Sequence, residues 1–398
     1  MSEGPHQITQ TVRAGLECDE VTGAVVPPIH LSSTFAFRCF GEKRSYDYTR
    51  SGNPTRDLLG AALAELELGA GAVVTATGMA AITLVGYLIP AGARIVAPHD
   101  CYGGTYRLFD AWHRRGERRV DFVNFGDEAA VRAALGQPAA LLWIETPSNP
   151  LLRITDIEKF VALGKAAGAL VVVDNTFLSP AWQQPIALGA DLVLHSTTKY
   201  LNGHSDVVGG AVVAREKALH EQLIWWANCL GVTGSPFDSF MTLRGLRTLH
   251  ARLDHHGRNA LGLAQWLQQQ PGVLRVYYPG LASHPGHDVA CRQQRGFGAI
   301  VSLELAGGHD AVREFVRDLK CFSLAESLGG VESLVAHPAT MTHAAMDPVA
   351  RQKAGLADGL IRLSVGIEAY EDLQADVAAG LKRAAGVISA AAPKQATG

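Results

Sequence analysis

From about Asp57 to Leu201, short apolar runs alternate with segments of helical period, and that alternation restricts the possible folds more than any other feature of the chain. Ala72–Val74, Arg94–Ala97, Asp121–Asn124, Ala140–Glu145, Leu170–Val173 and Ala190–Leu194 read as strands. Helical segments fall between or before them: Leu58, Leu59, Leu63 and Leu66 at helix spacing, Glu128–Ala134, and Ile157–Ala167. Repeated βα units predict a mainly parallel sheet covered by helices on both faces. We expect this α/β domain over 61–255. Before it, residues 1–60 lack clear periodicity, carry Pro27-Pro28 and the loop SYDYTRSGNPTRD, and read as an arm that packs against something else.

After Asp206 the pattern changes. Trp225, Trp226, Pro236 and Phe237 mark an apolar, turn-rich stretch that suits an interface, an active-site wall or plain core packing. One helix over Leu243–Leu263 is expected to lead into a smaller α+β domain at 256–398, with strands at Val273–Tyr277, Ala299–Leu305 and in LIRLSVG. In that last strand Arg362 alternates with Ile361 and Leu363, so it is expected on the less apolar side, facing an anion. A substrate carboxylate and a structural ion pair both fit.

Chemistry gathers at predicted strand ends, where open α/β sheets hold ligands. In HSTTKYLNGHSD, Lys199 follows a buried strand amid Ser196, Thr197, Thr198 and Tyr200. This suits a Schiff-base lysine beside phosphate-binding hydroxyls; a strand ending in a polar loop is the plainer reading. Upstream, Asp174 ends an apolar strand and could be a cap, a metal ligand or a buried counter-charge. An acid and an amine at successive strand ends suit pyridoxal phosphate, whose protonated ring nitrogen makes it an electron sink. Gly78 and Met79 open a helix after a strand, leaving N–H groups for a phosphate. Tyr102 and Asn149 also lie at strand ends, the tyrosine equally able to fill a gap at the sheet edge. In the arm, Tyr48 and Arg50 offer a ring and a guanidinium fork, or belong to an ordinary solvated loop.

Other classes fit poorly. A net charge of −3 without a basic cluster argues against nucleic acid. The six scattered cysteines form no CxxC pair, which suits a reducing cytoplasm and argues against a disulfide framework or zinc. His337 and His343 read as structural, and no metal is expected. The most apolar stretch, Ala80–Ala93, is broken by Pro90 and Gly92 and is too short to span a bilayer; the first residues show no secretion signal.

With these motifs in hand, the chain resembles the Cys/Met-metabolism family of fold-type I pyridoxal phosphate enzymes, from about Val12 to Leu381. The resemblance implies an aspartate-aminotransferase-like fold with a large, mostly parallel sheet domain. It implies pyridoxal 5'-phosphate on Lys199, with Asp174 at the ring nitrogen and Tyr102 stacked on the ring. Gly78, Met79, Thr176, Ser196 and Thr198 would hold the cofactor, joined by Tyr48 and Arg50 from a neighbouring subunit. Arg362, Asn149, Ser327, Glu326 and Tyr48 would meet the amino-acid substrate. It further implies a cytoplasmic homo-oligomer, a tetramer built as a dimer of active dimers.

Details within the resemblance point to γ-chemistry. Methionine γ-lyases usually carry a cysteine where this chain has Gly104, and β-lyases an aromatic or apolar residue in place of Glu326. The stretches VVPPIHLSSTF, APHDCYGGTYRLFD, WWANCLGVTGSPFDSF and GVESLVAHPATMTHAAM resemble the family's γ-synthases. Some of these have two consecutive arginines in the arm, whereas Arg50 here is followed by Ser51, as in γ-lyases. The expected reaction is γ-replacement, joining O-succinylhomoserine and L-cysteine into cystathionine and succinate. The alternative is γ-cleavage of cystathionine to cysteine, ammonia and 2-oxobutanoate. A binding or regulatory module that has lost its chemistry should lack the lysine or the aspartate, and both are present.

Lys199→Ala is expected to abolish turnover while the protein still binds pyridoxal phosphate non-covalently. Assay and visible spectrum together check this; normal turnover would remove Lys199 from the chemistry.

Overall fold

The computed structural model describes residues 5–341 and 355–391. They form two compact units. The first comprises 1–146, 155–251 and 293–295, and the second 147–154, 252–292 and 296–398. The loop carrying Asn149 therefore belongs to the second unit, although its position in the chain suggests the first.

In the first unit, α1 (Gln7–Arg13) precedes a long stretch without helix or strand, in which Thr34 bridges Tyr48 and Cys39 bridges Glu42. Then follow α2 (Pro54–Glu67), β1 (Gly71–Thr75), α3 (Gly78–Gly86), β2 (Arg94–Pro98), α4 (Gly103–Arg114) and β3 (Arg119–Val123). The alternation continues through α5 (Glu128–Leu135), β4 (Leu141–Glu145), α6 (Ile157–Ala166), β5 (Leu170–Asp174), α7 (Ser179–Trp182) and β6 (Leu192–His195). The unit closes with β7 (Gly210–Ala214), α8 (Lys217–Leu230) and α9 (Pro236–Leu246). Asn53 caps α2 by accepting from the N–H groups of Thr55 and Arg56, and Pro54 at the first helical position fixes the entry.

The seven strands form one sheet in the order β1-β7-β6-β5-β4-β2-β3. β6, β5, β4, β2 and β3 run parallel, and β7 is antiparallel to both neighbours. Alternation along the strands divides the core. Leu141, Trp143, Val172, Leu192 and Leu194 pack with Ile82 and Val85 of α3, Phe109 of α4 and Leu223 of α8. Leu142, Ile144, Val171 and Val173 face the other way, onto Val131 of α5 and Phe160 and Val161 of α6. Both faces being covered, these strands need apolar residues at every position, which is why they read as unbroken runs.

Three expectations are corrected. β7 was not foreseen. Trp225 and Trp226 sit in α8 rather than in a turn, their rings 4.7 Å apart, with Trp226 5.0 Å from Tyr87. The expected single helix over 243–263 is two, α9 and then α10 (Leu249–Leu267), which carries the chain into the second unit. Buried Leu243, Leu246, Leu249 and Leu253 continue one apolar stripe across the break, so periodicity alone conceals it. At the break, the Thr248 hydroxyl and N–H both donate to the Gly245 carbonyl, at 3.0 and 3.1 Å. A side chain that bonds locally to the backbone competes with the helical ladder.

The second unit adds β8 (Val273–Tyr277), α11 (His287–Gln293), β9 (Ile300–Leu305), α12 (Gly308–Val316), β10 (Ser323–Leu324), β11 (Leu334–Ala336), β12 (Leu360–Ser364) and α13 (Tyr370–Ala391). Its sheet runs β10-β11-β12-β9-β8, antiparallel except for β10 with β11. Arg383 of α13 donates to the last-turn carbonyls Glu314 and Phe315 of α12. All five residues of β12 are buried, so the strand has no open side, and Arg362 is enclosed rather than turned outward. His337 is hydrogen-bonded through both ring nitrogens, to Thr340 Oγ1 at 2.8 Å and the Asp358 carbonyl at 3.0 Å, while His343 lies outside the described residues.

Candidate active site

In the first unit, the ends of β5 and β6 carry Asp174, Thr176, Ser196, Thr198 and Lys199. Asp174 closes β5 and is buried; its Oδ1 accepts the Thr176 N–H at 3.0 Å. The Thr176 hydroxyl accepts the Ser196 N–H at 2.9 Å. Thr176 thus ties the acid at one strand end to the hydroxyl residue at the next. Ser196 opens the turn that carries Lys199, whose N–H donates to the Ser196 carbonyl at 3.2 Å. Lys199 is half-buried, and the Gly203 N–H closes the turn on its carbonyl at 2.8 Å. Thr198 is engaged too: its hydroxyl donates to the Gly209 carbonyl at 3.2 Å and accepts the Gly209 N–H at 3.0 Å.

The start of α3 lies against this turn. A methyl group on Gly78 would sit 3.0 Å from Ser196 Cβ and 3.1 Å from its Oγ. Thr77 caps the helix by accepting the Ala80 N–H at 2.9 Å, so the N–H groups of Gly78 and Met79 keep no intrahelical partner. Two backbone donors at a helix start beside a serine hydroxyl form an anion cradle. Tyr102 precedes α4, is 43% exposed, and leaves its side chain out of the capping. Its N–H donates to Glu145 Oε2 at 2.8 Å, which puts a carboxylate at the favourable end of α4. A methyl group on Gly104 would collide with the Tyr102 ring and lie 2.7 Å from Met79 Sδ. The missing side chain at Gly104 therefore lets Tyr102 and Met79 share one space. Burial, then the Glu145 charge, push the neighbouring Cys101 thiol well above its usual range, which keeps it protonated and a poor nucleophile.

Tyr48 and Arg50 are exposed and share no hydrogen bond with Gly78, Met79, Ser196 or Thr198 among the described residues. The Arg50 guanidinium lies 5.4 Å from the Tyr48 ring centroid and donates to Asn228 Oδ1 at 2.9 Å.

In the second unit, Arg362 is 3% exposed, donating to Asn149 Oδ1 at 3.0 Å and to the Ser327 carbonyl at 2.7 Å. Both acceptors are neutral oxygens that orient the guanidinium. The Ser327 loop is held from below. Asp376 accepts the N–H groups of Lys320, Cys321 and Phe322, and Ser364 Oγ accepts that of Gly329. Ser327 itself takes φ 93°, the left-handed region, which costs about 1–3 kcal/mol for a non-glycine residue. Glu326 is exposed.

The site accommodates a cationic aromatic cofactor. Burial raises the Asp174 carboxyl above its usual range, against the hydrogen bonds from Thr176 and a smaller opposing effect from His195. No lysine or arginine pairs with it among the described residues. A buried acid that pairs with neither lysine nor arginine among the described residues, a lysine two elements on and an anion cradle point to a pyridoxal phosphate enzyme. The chain belongs to the Cys/Met metabolism PLP-dependent enzyme family, whose model matches residues 8–382. It is 58% identical to cystathionine γ-synthase of Escherichia coli K12, over 95% of this chain and 98% of that one. It is 48% identical to cystathionine β-lyase of Coxiella burnetii, over 94% and 98%. The solved cystathionine γ-synthase of Xanthomonas oryzae pv. oryzae superposes with a TM-score of 0.96 at 60–61% identity, covering 97% of this chain and 100% of that one. That enzyme was captured with aminoacrylate and cysteine and with cystathionine.

Two groups escaped sequence reasoning. Glu145 follows from no local signal except its place at a strand end. The fully buried Glu67 meets His195 across 128 positions of sequence, and no motif announces it.

Asp174→Asn separates fold from function. A carboxyl whose folded pKa is raised loses folding stability as pH rises from its unfolded value through the folded one. At neutral pH, apo Asp174→Asn is therefore expected to melt above apo wild type, while binding pyridoxal phosphate about tenfold or more weakly. Melting curves and cofactor titration check both signs; a lower apo melting temperature would contradict the cost of burial.

Proposed function

We propose that this chain joins O-succinylhomoserine and L-cysteine into cystathionine and succinate by γ-replacement. The carrying observation is Glu326: an exposed carboxylate one residue from the Ser327 carbonyl that orients Arg362. A guanidinium for one carboxylate and an acid for a distant ammonium suit a substrate with an amino-acid group at each end. The tyrosine–methionine packing over Gly104, where a cysteine side chain would collide, also favours this reading over methionine cleavage.

When bound, pyridoxal phosphate supplies an electron sink for charge developing at Cα. Lys199 would hold the cofactor through its amine and would then move protons at Cα and Cβ of the substrate. Asp174, its carboxylate fixed by the Thr176 N–H, would favour the protonated form of the ring nitrogen. Tyr102 would help hold the ring and would take a proton from the incoming amine. Arg362 and Asn149, with Ser327, would hold and orient the substrate α-carboxylate. The Cγ–O bond breaks with its electron pair on succinate, the Cγ–S bond to cysteine forms, and the thiol proton is released.

The division of labour that goes with this is an arm (1–60), a cofactor domain (61–255) and a C-terminal domain (256–398). Such a reaction belongs to methionine synthesis in the cytoplasm, where thiols stay reduced. Ser51 after Arg50 favours γ-cleavage of cystathionine as the second reading, because a missing guanidinium weakens the hold on a succinyl carboxylate. Both activities measured under matched conditions decide: the specificity constant for γ-replacement is expected to exceed that for cystathionine cleavage. The reverse order would make the chain a lyase.

The same reading makes the active form a homo-oligomer, a tetramer of two active dimers, in which Tyr48 and Arg50 reach the cofactor phosphate of a neighbour. Arg50→Ala is expected to weaken cofactor retention about tenfold or more, the worth of one charge-assisted contact. Mixed with Lys199→Ala, it should regain activity, because one of the two sites in a mixed dimer carries neither change. No recovery after verified subunit exchange would mean that each site is built within one chain.

A further inference from the structure

In β12, Arg362 and Ser364 stand two positions apart, and Ser302 of β9 lies directly opposite Arg362. Alternation along one strand and pairing across to the next put all three side chains on one face of the sheet. Both serines are buried, at 0% and 2% exposure. Their chain neighbours Val301, Leu303, Leu363 and Val365 are apolar. Alanine would fill the same space with no hydroxyl to satisfy, so each buried hydroxyl calls for a role.

Each hydroxyl meets one of the two loops that orient Arg362. The Ser302 hydroxyl donates to the Pro150 carbonyl at 2.6 Å, and Asn149, one residue earlier, accepts Arg362 Nη1 at 3.0 Å. Ser364 Oγ accepts the Gly329 N–H at 2.9 Å, and two residues earlier the Ser327 carbonyl accepts Arg362 Nη2 at 2.7 Å. Both Nη atoms of the guanidinium are thus set by loops that the adjacent serines hold. The second loop needs such a hold: φ is 93° at Ser327 and 79° at Gly329, and a strained serine persists only where its surroundings fix it. The far end of each loop is tied separately. His284 Nε2 donates to the Leu152 carbonyl at 2.9 Å, and the Glu368 carboxylate accepts the N–H and hydroxyl of Ser333 at 2.7 and 2.8 Å. Removing one serine hydroxyl therefore loosens the part of a loop beside Arg362 and leaves the rest anchored.

We propose that Ser302 and Ser364 are positioning residues for Arg362, each setting one loop so that the guanidinium is presented to a substrate carboxylate. The inference rests on Arg362 holding the substrate α-carboxylate.

The test compares L-norvaline with butylamine, the same carbon chain with and without the carboxylate. Each is titrated into the holoenzyme and followed by the visible band of the bound cofactor. Ser302→Ala and Ser364→Ala are each expected to weaken L-norvaline about fivefold, in the range of one neutral hydrogen bond, and butylamine by less than about twofold. Arg362→Gln should weaken L-norvaline about tenfold or more and leave butylamine little changed. Added to Arg362→Gln, neither serine change should weaken L-norvaline further, because both act through the guanidinium. Equal weakening of the two probes by the serine variants, or none, overturns the proposal where Arg362→Gln remains selective. Loss of selectivity in Arg362→Gln itself overturns the assignment of Arg362 to the carboxylate, and the serines' role with it. If an alanine variant does not fold, Ser302→Cys and Ser364→Cys, which keep the shape and weaken the hydrogen bond, carry the same comparison.

Discussion

A parallel sheet buried on both faces can expose polar groups only where its strands end. In the first unit that constraint is nearly complete: every residue of β4 and β6, and every residue of β5 after Leu170, is buried. The chemistry must then lie at the strand ends, and it lies at one set of them, with Glu145, Asp174 and the turn after His195 side by side. Helices that begin at that edge point their N-termini toward it, so α3 contributes backbone donors and α4 begins directly after Tyr102. Thr176 converts adjacency into fixed geometry by bonding to both Asp174 and Ser196.

Electrostatics at this edge is uneven in an informative way. Glu145 and Glu67 are both buried glutamates against helix termini, at opposite ends. Glu145 meets the N-terminal side of α4, an arrangement worth about 0.3–1 kcal/mol and up to about 2 when partly buried. Glu67 ends α2, where the same term has the opposite sign, and it is compensated by His195 and Asn175. Asp174 has only the hydrogen bonds from Thr176 and a smaller effect from His195 to set against its burial. Of the three acids it is the least compensated, and its remaining need is for a positive group.

The legible parts of this protein are those in which one strand end supplies one residue. Asp174 closes an apolar run, and Lys199 and Tyr102 each stand four residues past the end of one, so the runs mark their places. β7 was missed because Gly210–Ala214 follows a loop rich in glycine and serine and is short and small-sided, although all five residues are buried. Arg362 was recognised as needing an anion, but alternation suggested an open side that β12 does not have. The tryptophans of α8 read as turn-rich because glycine, serine and proline follow closely, yet α8 runs to Leu230 before Gly231 ends it in the left-handed region. Glu67 and His195 were illegible for a different reason: their meaning lies in a contact between distant elements, and each alone looks like an ordinary helix or strand residue.

The cradle at α3 also explains why the arm matters to the proposed assembly. Gly78 and Met79 offer N–H groups, and Ser196 and Thr198 offer hydroxyls, the latter already shared with Gly209. None of these carries a formal charge, whereas a phosphate near neutral pH carries nearly two. Helix dipoles and hydroxyls hold such an anion through partial charges; a guanidinium adds a full one in bidentate geometry. Arg50 is exposed and stands on a segment whose Val21, Leu31 and Phe40 are 93%, 69% and 107% exposed. Apolar side chains that open to water on a chain with a well-filled core are suited to a second surface. In the proposed assembly a neighbouring copy would supply both that surface and a cradle of neutral donors, so one contact would bury the arm and complete the phosphate site together.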